Sequence, residues 1–88
     1  MGMKIEYGRH FRDMMRERGI PEEWVARCTT KPDNTEDLAD GTKHFSKMIP
    51  EHENRWLRVI INPAVKPCKG ITLFFDRRLR RKDESQGR

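Results

Sequence analysis

The sequence predicts an α+β fold in which two N-terminal helices pack on one face of a three- to four-stranded antiparallel sheet. Two runs rich in β-branched and aromatic residues lie between residues 55 and 78, and a loop with Pro63, Pro67 and Gly70 separates them. Such runs favour strands. Two short amphipathic segments precede them, and helices followed by consecutive strands are typical of a two-layer domain.

The two runs alternate in polarity, as strands with one buried face do. We expect the apolar face to pack on the helices; its members are Leu57, Val59, Ile61, Ile71, Leu73 and Phe75. The other face mixes aromatic, charged and polar side chains: Trp56, Arg58, Ile60, Asn62, Thr72, Phe74, Asp76 and Arg78. A sheet of this kind can present its second face to a partner.

The first helix is predicted over residues 9–18, because Phe11, Met14 and Met15 have helical spacing. Gly19 is a natural left-handed end for it. Ile20 would then fold back on Met15, the contact that accompanies a Schellman motif. Residues 1–8 form a short lead, whose Ile5 and Tyr7 are candidates for packing on the core.

A second helix is predicted from Pro21, whose fixed φ suits a first turn, to the boundary before Pro32. Its apolar face holds Trp24, Val25 and Cys28. The helix pair resembles a DNA-reading helix–turn–helix in outline. The second helix begins with two glutamates and has only Arg27 as a basic group, which argues against the major groove.

Residues 32–41 are acidic and rich in turn-formers, with room for one short edge strand. Residues 42–49 read as a strand with Phe45 and Ile49 on one side, and Pro50 ends it. We therefore expect a single domain over residues 1–80. Residues 81–88 are polar and basic, and we expect them to form a flexible tail.

The chain has 88 residues and a net charge of +5. Six basic and two acidic side chains lie in residues 77–88, and this excess favours an acidic partner. The sequence has no apolar run of membrane-spanning length and no signal-peptide pattern, so we expect a cytoplasmic protein without a membrane partner. Cys28 and Cys68 have no zinc-site spacing, so we predict idle thiols, no metal and no cofactor.

Several residues occur in an order known from one family. They are His10, Met15, Glu17-Arg18-Gly19-Ile20, Val25, Pro32-Asp33, Gly41, Leu57-Arg58-Val59, Thr72 and Phe75-Asp76-Arg77-Arg78. Over about residues 8–80 the chain resembles a family of small bacterial proteins of unknown function, which looks related to the BrnT and RelE toxins. The resemblance implies helices on one face of an antiparallel sheet and RNA against the basic open face. Met14 departs from the family's His-xxx-Arg-Met pattern.

RNA cleavage by internal attack needs a proton acceptor, a stabiliser of phosphate charge and a proton donor. His10, His44, Arg58, Asp76, Arg77 and Arg78 are candidates, and His10, Arg58, Asp76 and Arg77 are the predicted catalytic residues. Structural alternatives stay open for each: a cross-strand ion pair for Arg58 and Asp76, helix capping or packing for His10, and a solvated surface for the arginines.

The predicted RNA-binding residues combine an aromatic side chain with the basic end of the chain: Trp56, Arg77, Arg78, Arg80, Arg81 and Lys82. Aromatic groups between basic ones can stack single-stranded bases. Trp56 is equally suited to covering the sheet. Trp24 has helical spacing with Val25 and Cys28, which is typical of a core residue.

The functional expectation is a RelE/BrnT-like RNA-interacting protein, with a ribonuclease toxin of a toxin–antitoxin pair as its specific form. Its partners would be RNA, including ribosome-associated RNA, and an antitoxin. The alternatives are a protein-binding module without enzymatic activity and a degenerate toxin relative. The sequence does not decide whether the protein is an enzyme.

Overall fold

The computed structural model describes residues 4–78. The elements, in chain order, are β1 (Ile5–Glu6), α1 (Arg9–Glu17), α2 (Glu22–Thr30), β2 (Asn34–Asp37), β3 (Lys43–Ile49), a 3₁₀ turn (Pro50–His52), β4 (Arg55–Asn62) and β5 (Cys68–Phe75). The strands form one sheet in the order β1-β5-β4-β3-β2. Both helices contribute to a single apolar core on one face of this sheet, so the α+β prediction is confirmed.

The sheet is larger than predicted, because within residues 4–78 it has five strands and one of its pairs is parallel. The additional strand is β1, which runs parallel to β5 and pairs Ile5 with Cys68 and Glu6 with Lys69. Two residues are too short to show an alternating pattern, and their partner lies far along the chain. β2 is the short edge strand expected in the acidic segment, and all four of its residues are exposed.

The connection between the helices has the geometry that the sequence predicts. Gly19 has a φ of 63°, and the Ile20 N–H donates to the Met15 carbonyl oxygen at 2.8 Å. The Gly19 N–H donates to the Arg16 carbonyl at 3.2 Å, which completes a Schellman motif. Ile20 is buried in the core. α2 follows directly after Pro21, so the short turn fixes both helices against the sheet.

The core confirms most of the predicted apolar face. Leu57, Val59, Ile61 and Leu73 are completely buried, whereas Phe75 is only partly buried. Phe45 and Ile49 of β3 face the same core. Cys28 lies among these side chains, and burial raises the pKa of its thiol to about 12. Its thiol is therefore protonated at pH 7, and the side chain packs as part of the core.

The position of Ile71 was predicted wrongly, since its side chain is 40% exposed. The register of β4 and β5 shifts between Ile60 and Ile61, which pair with Thr72 and Gly70. This irregularity leaves Ile71 unpaired with β4, and Gly70 lies under the helix layer instead. A Cβ at Gly70 would lie 2.9 Å from Tyr7 Cδ1, so the stacked rings of Tyr7 and Phe11 require a glycine here.

None of the helices in residues 4–78 is long and apolar enough to cross a membrane. The predicted flexible tail, residues 81–88, lies outside the described residues.

Candidate functional site

The face of the sheet opposite the helices carries a group of polar side chains. We call it the Arg58 cluster; its members are Glu36, His44, Arg58, Asp76 and Arg78. They come from four places in the chain: β2, β3, β4 and the residues that follow β5. Both helices of the described chain pack on the other face.

Strand register brings these residues together. Glu36 of β2 lies directly opposite His44 of β3. Arg58 of β4 lies opposite Ser46 and is therefore diagonal to His44, within reach of a long side chain. Asp76 follows β5, and its N–H donates to the Trp56 carbonyl oxygen at 2.8 Å, which holds it beside β4.

Arg58 is the centre of the cluster, and its side chain is only 10% exposed. Its Nε donates to Asp76 Oδ2 at 2.9 Å. Its Nη1 lies 3.2 Å from Glu36 Oε1 and 3.0 Å from His44 Nδ1. Within residues 4–78, its Nη2 makes no hydrogen bond to a side chain or backbone atom. The guanidinium is therefore held in one orientation with donor capacity remaining.

Asp76 is the most buried of the charged groups, with its side chain 3% exposed. While Oδ2 accepts from Arg58, Oδ1 accepts from the Arg78 backbone N–H at 2.9 Å and lies 3.5 Å from Arg78 Nε. Burial alone would raise the pKa of Asp76, but the hydrogen bonds from Arg78 and Arg58 outweigh it and the pKa is lowered. Both oxygens of this carboxylate are thus occupied, which favours an orienting role.

The hydrogen bond from Arg58 fixes the tautomer of His44. Since the guanidinium can only donate, His44 Nδ1 must accept, and the neutral ring then carries its hydrogen on Nε2. Burial and then the positive charge of Arg58 lower the pKa of His44. The imidazole therefore stays neutral at pH 7 and offers an Nε2–H donor.

The cluster lines an open cleft of about 430 Å³, whose wall also includes Asn34 and Leu38. The side chain of Glu36 is 47% exposed there, unlike that of Asp76. Two carboxylates and two guanidiniums balance in charge, with a neutral imidazole between them. Chemically, the cleft offers two kinds of N–H donor and one accessible carboxylate.

The structure brings together two of the four predicted catalytic residues. Arg58 and Asp76 form a buried ion pair, so the predicted cross-strand pairing exists, but away from solvent. Arg77 is exposed and lines a small cavity of about 10 Å³ with Arg55, Phe75 and Asp76. Its neighbour Arg78 contacts the cluster instead.

His10 lies elsewhere, exposed near the start of α1. It lines a separate groove of about 520 Å³ that includes Arg9, Asn62 and Lys69. Asn62 is four residues along β4 from Arg58, about 13 Å at the rise of a strand. The geometry therefore does not join His10 to the Arg58 cluster.

The predicted RNA-binding residues fall partly within the described chain. Trp56 precedes Arg58 by two residues on the same face and is half-buried. Its indole Nε1 is buried and has no hydrogen-bond partner within residues 4–78. Arg80, Arg81 and Lys82 lie outside the described residues.

Sequence reasoning missed Glu36 as a site residue and left His44 unconnected to Arg58. Both residues lie on strands with weak apolar patterns, and their proximity depends on the β2–β3 register. The signal available in the sequence was the alternation of β3. It places the side chain of His44 on the face of the sheet opposite to that of Phe45. Among residues 4–78, no three His, Cys, Asp or Glu side chains lie close enough together to bind a metal ion.

These features define a small α+β domain with a charged cluster on the open face of its sheet. A family model described as "Domain of unknown function (DUF4258)" matches residues 7–74. The chain therefore belongs to this family. The resemblance seen in the sequence predicted a family of unknown function, and that part of the prediction is confirmed. No curated protein and no solved structure matches the chain.

Proposed function

We propose that this protein is a RelE/BrnT-like RNA-interacting protein that contacts RNA with the open face of its sheet. The observation that carries the proposal is the fixed position of Arg58, which is buried on that face with Nη2 uncommitted within the described chain. A preoriented guanidinium suits a phosphate group, because Nη2 can donate to a phosphate oxygen while Nε and Nη1 stay bound to the protein.

The surroundings of Arg58 also suit a polyanion. His44 supplies a neutral N–H donor, and Arg77 and Arg78 add two exposed cations beside Asp76. Trp56 lies on the same face, where bases of single-stranded RNA can stack on an aromatic ring. The net charge of +5 favours association with nucleic acid at low salt.

The more specific form of the proposal is a ribonuclease toxin, acting on free or ribosome-associated RNA and held inactive by an antitoxin. Its support is the packing of two helices on one face of the sheet, together with the polar opposite face. In the RelE-like arrangement that the sequence resembles, RNA lies against the open face.

A salt titration of RNA binding tests the proposal. We expect single-stranded RNA to bind at low salt and to dissociate steeply as salt rises, because phosphate contacts release counterions. The Arg77→Ala/Arg78→Ala variant should bind more weakly and lower the salt slope by about 2. The matched control is Arg9→Ala/Arg16→Ala, which removes the same charge from exposed positions on α1.

The two variants separate a local contact from a general charge effect. Equal losses in both would show that RNA senses only net charge, and an absence of binding by the wild type at low salt would refute the proposal. Trp56→Ala should lose about 1–3 kcal/mol of binding energy while keeping the salt slope, since stacking carries no charge. Thermal unfolding of each variant checks that the sheet is intact.

A protein-binding function has one observation in its favour, the edge strand β2. All four of its residues are exposed, and an exposed edge can accept an added strand from another protein. Loss of RNA binding in every assay would leave this edge as the principal interaction surface.

A further inference from the structure

The Arg58 cluster contains two of the three groups that internal cleavage of RNA requires, a proton acceptor and a stabiliser of phosphate charge, in an arrangement that differs from the sequence prediction. The accessible carboxylate is Glu36, whose Oε1 bonds to Arg58 while Oε2 has no partner within residues 4–78. The buried carboxylate is Asp76, and both of its oxygens already accept hydrogen bonds. A proton acceptor must reach the substrate, so the geometry distinguishes the two acids.

We propose that the cleft cleaves RNA with Glu36 as the general base, an assignment that rests on the proposed RNA-binding function. Glu36 takes the proton from a ribose 2′-OH, and the 2′ oxygen forms a bond to the adjacent phosphorus. The bond from phosphorus to the 5′ oxygen breaks, and its electron pair leaves with that oxygen, which takes a proton from water. The products are a 2′,3′-cyclic phosphate and a 5′-hydroxyl end.

Arg58 and His44 provide the electrostatic part of this step. The unused Arg58 Nη2 and the His44 Nε2–H are donors for the non-bridging phosphate oxygens, where negative charge grows in the transition state. Arg58 holds the acceptor nitrogen of His44 at 3.0 Å, so the imidazole keeps the tautomer that donates outward. Neutral imidazole acts here as a hydrogen-bond donor and not as the base.

Asp76 is a positioning residue in this scheme. It fixes the Arg58 Nε edge at 2.9 Å and is itself held by the Arg78 backbone N–H. This leaves the other edge of the guanidinium for Glu36, His44 and a phosphate. The cluster therefore combines a rigid buried half with an accessible reactive half.

Cleavage is measured with a single-stranded RNA that contains all sixteen dinucleotide steps, and with a 2′-O-methyl copy that cannot be cleaved by this route. We expect the wild type to produce 2′,3′-cyclic phosphate ends from the RNA and to bind the 2′-O-methyl copy without cutting it. Glu36→Gln should lower the cleavage rate by about 100-fold or more. It keeps the bond to Arg58 and should bind the 2′-O-methyl copy at least as well as the wild type.

The matched control is Asp37→Asn, which removes one carboxylate from the adjacent position of β2, whose side chain alternates to the other face. It should cleave as the wild type does. His44→Phe removes the Nε2–H donor and should lower the rate by about 100-fold, and thermal unfolding shows whether the variant is folded.

The outcomes separate this inference from the proposed function. Binding without cyclic phosphate products, or a Glu36→Gln variant with wild-type rate, refutes Glu36 as the base and leaves RNA binding standing. Cutting of the 2′-O-methyl copy refutes the internal attack. Failure to bind either nucleic acid refutes both proposals.

Discussion

The two faces of β4 are built from alternate residues of one strand, and side chains of different polarity bury them. Leu57, Val59 and Ile61 point to the helices and are fully buried among apolar side chains. Arg58, between two of them, is buried on the other face with the charged Asp76 as its partner. The first face explains why the domain folds.

The second face is not explained by stability in the same way. Removing a guanidinium and a carboxylate from water costs several kcal/mol per ion, and their attraction often only offsets that cost. An apolar pair of similar volume would usually fold the domain equally well. The difference supports the proposal that the Arg58 cluster has a use beyond holding the sheet together.

Breaking the buried pair should give the largest loss of stability. We expect Arg58→Met to lower the free energy of unfolding by about 3–5 kcal/mol, because the Asp76 carboxylate loses its buried partner and keeps only the exposed Arg78. Urea unfolding measures this change. The double variant Arg58→Met/Asp76→Leu should recover most of the loss, since the charges that it leaves, Glu36 and Arg78, are accessible to water.

Lys43→Met is the matched control, because it removes the cation of the more exposed Lys43–Asp37 pair on neighbouring strands. Its effect should stay within about 1 kcal/mol. If the double variant remained as unstable as Arg58→Met, the ion pair would be a structural requirement and the contrast between the faces would fail.

The apolar face should show the next largest effect, and β5 offers a test within one strand. Leu73→Ala should cost about 2–5 kcal/mol, because the side chain is fully buried and a cavity remains. Ile71→Ala removes a similar side chain that the register shift has turned outward, and it should cost about 0.5 kcal/mol or less. Equal losses measured by urea unfolding would contradict the observed register.

The contrast between Leu73 and Ile71 also shows how far the sequence could predict the fold. The alternation of β4 and the Gly19 stop depend on neighbouring residues, and both were predicted correctly. The register shift at Ile71 depends on Gly70 fitting under Tyr7 and Phe11, which are distant in sequence. The pairing of Ile5 with Cys68 likewise links two ends of the chain, so no local pattern reports it.

The candidate site was predictable to a similar extent. Arg58 and Asp76 could be paired because Arg58 lies on β4 and Asp76 directly follows β5, and the sequence predicts these two strands as a hairpin. Glu36 and His44 join them only through the register of β2 and β3, where the apolar alternation is weak. Sequence patterns therefore indicated the pair at the centre of the cluster. Its accessible members, Glu36 and His44, could be placed beside that pair only from the three-dimensional structure.

The smallest expected effect is a pH dependence that originates at His44, which is only partly buried. Burial and Arg58 lower its pKa from the ordinary value of 6.5, although Glu36 and Asp40 act in the opposite direction. The unfolded chain therefore takes up this proton at a higher pH than the folded one. The stability involved is fully present above pH 6.5 and declines as the pH falls below that value.

Urea midpoints of the wild type and of His44→Asn, measured between pH 7.5 and 5, test this sign. Protonation of Nδ1 removes the acceptor that Arg58 uses at 3.0 Å and places two cations together. Asparagine keeps an acceptor oxygen at the position of Nδ1 and cannot titrate, so its midpoint should fall less over this range, whereas His10→Asn, at an exposed position outside the cluster, should follow the wild type. Parallel curves for all three proteins would show that the Arg58–His44 contact does not couple to folding. Protonation of His44 would then leave the stability of the sheet unchanged.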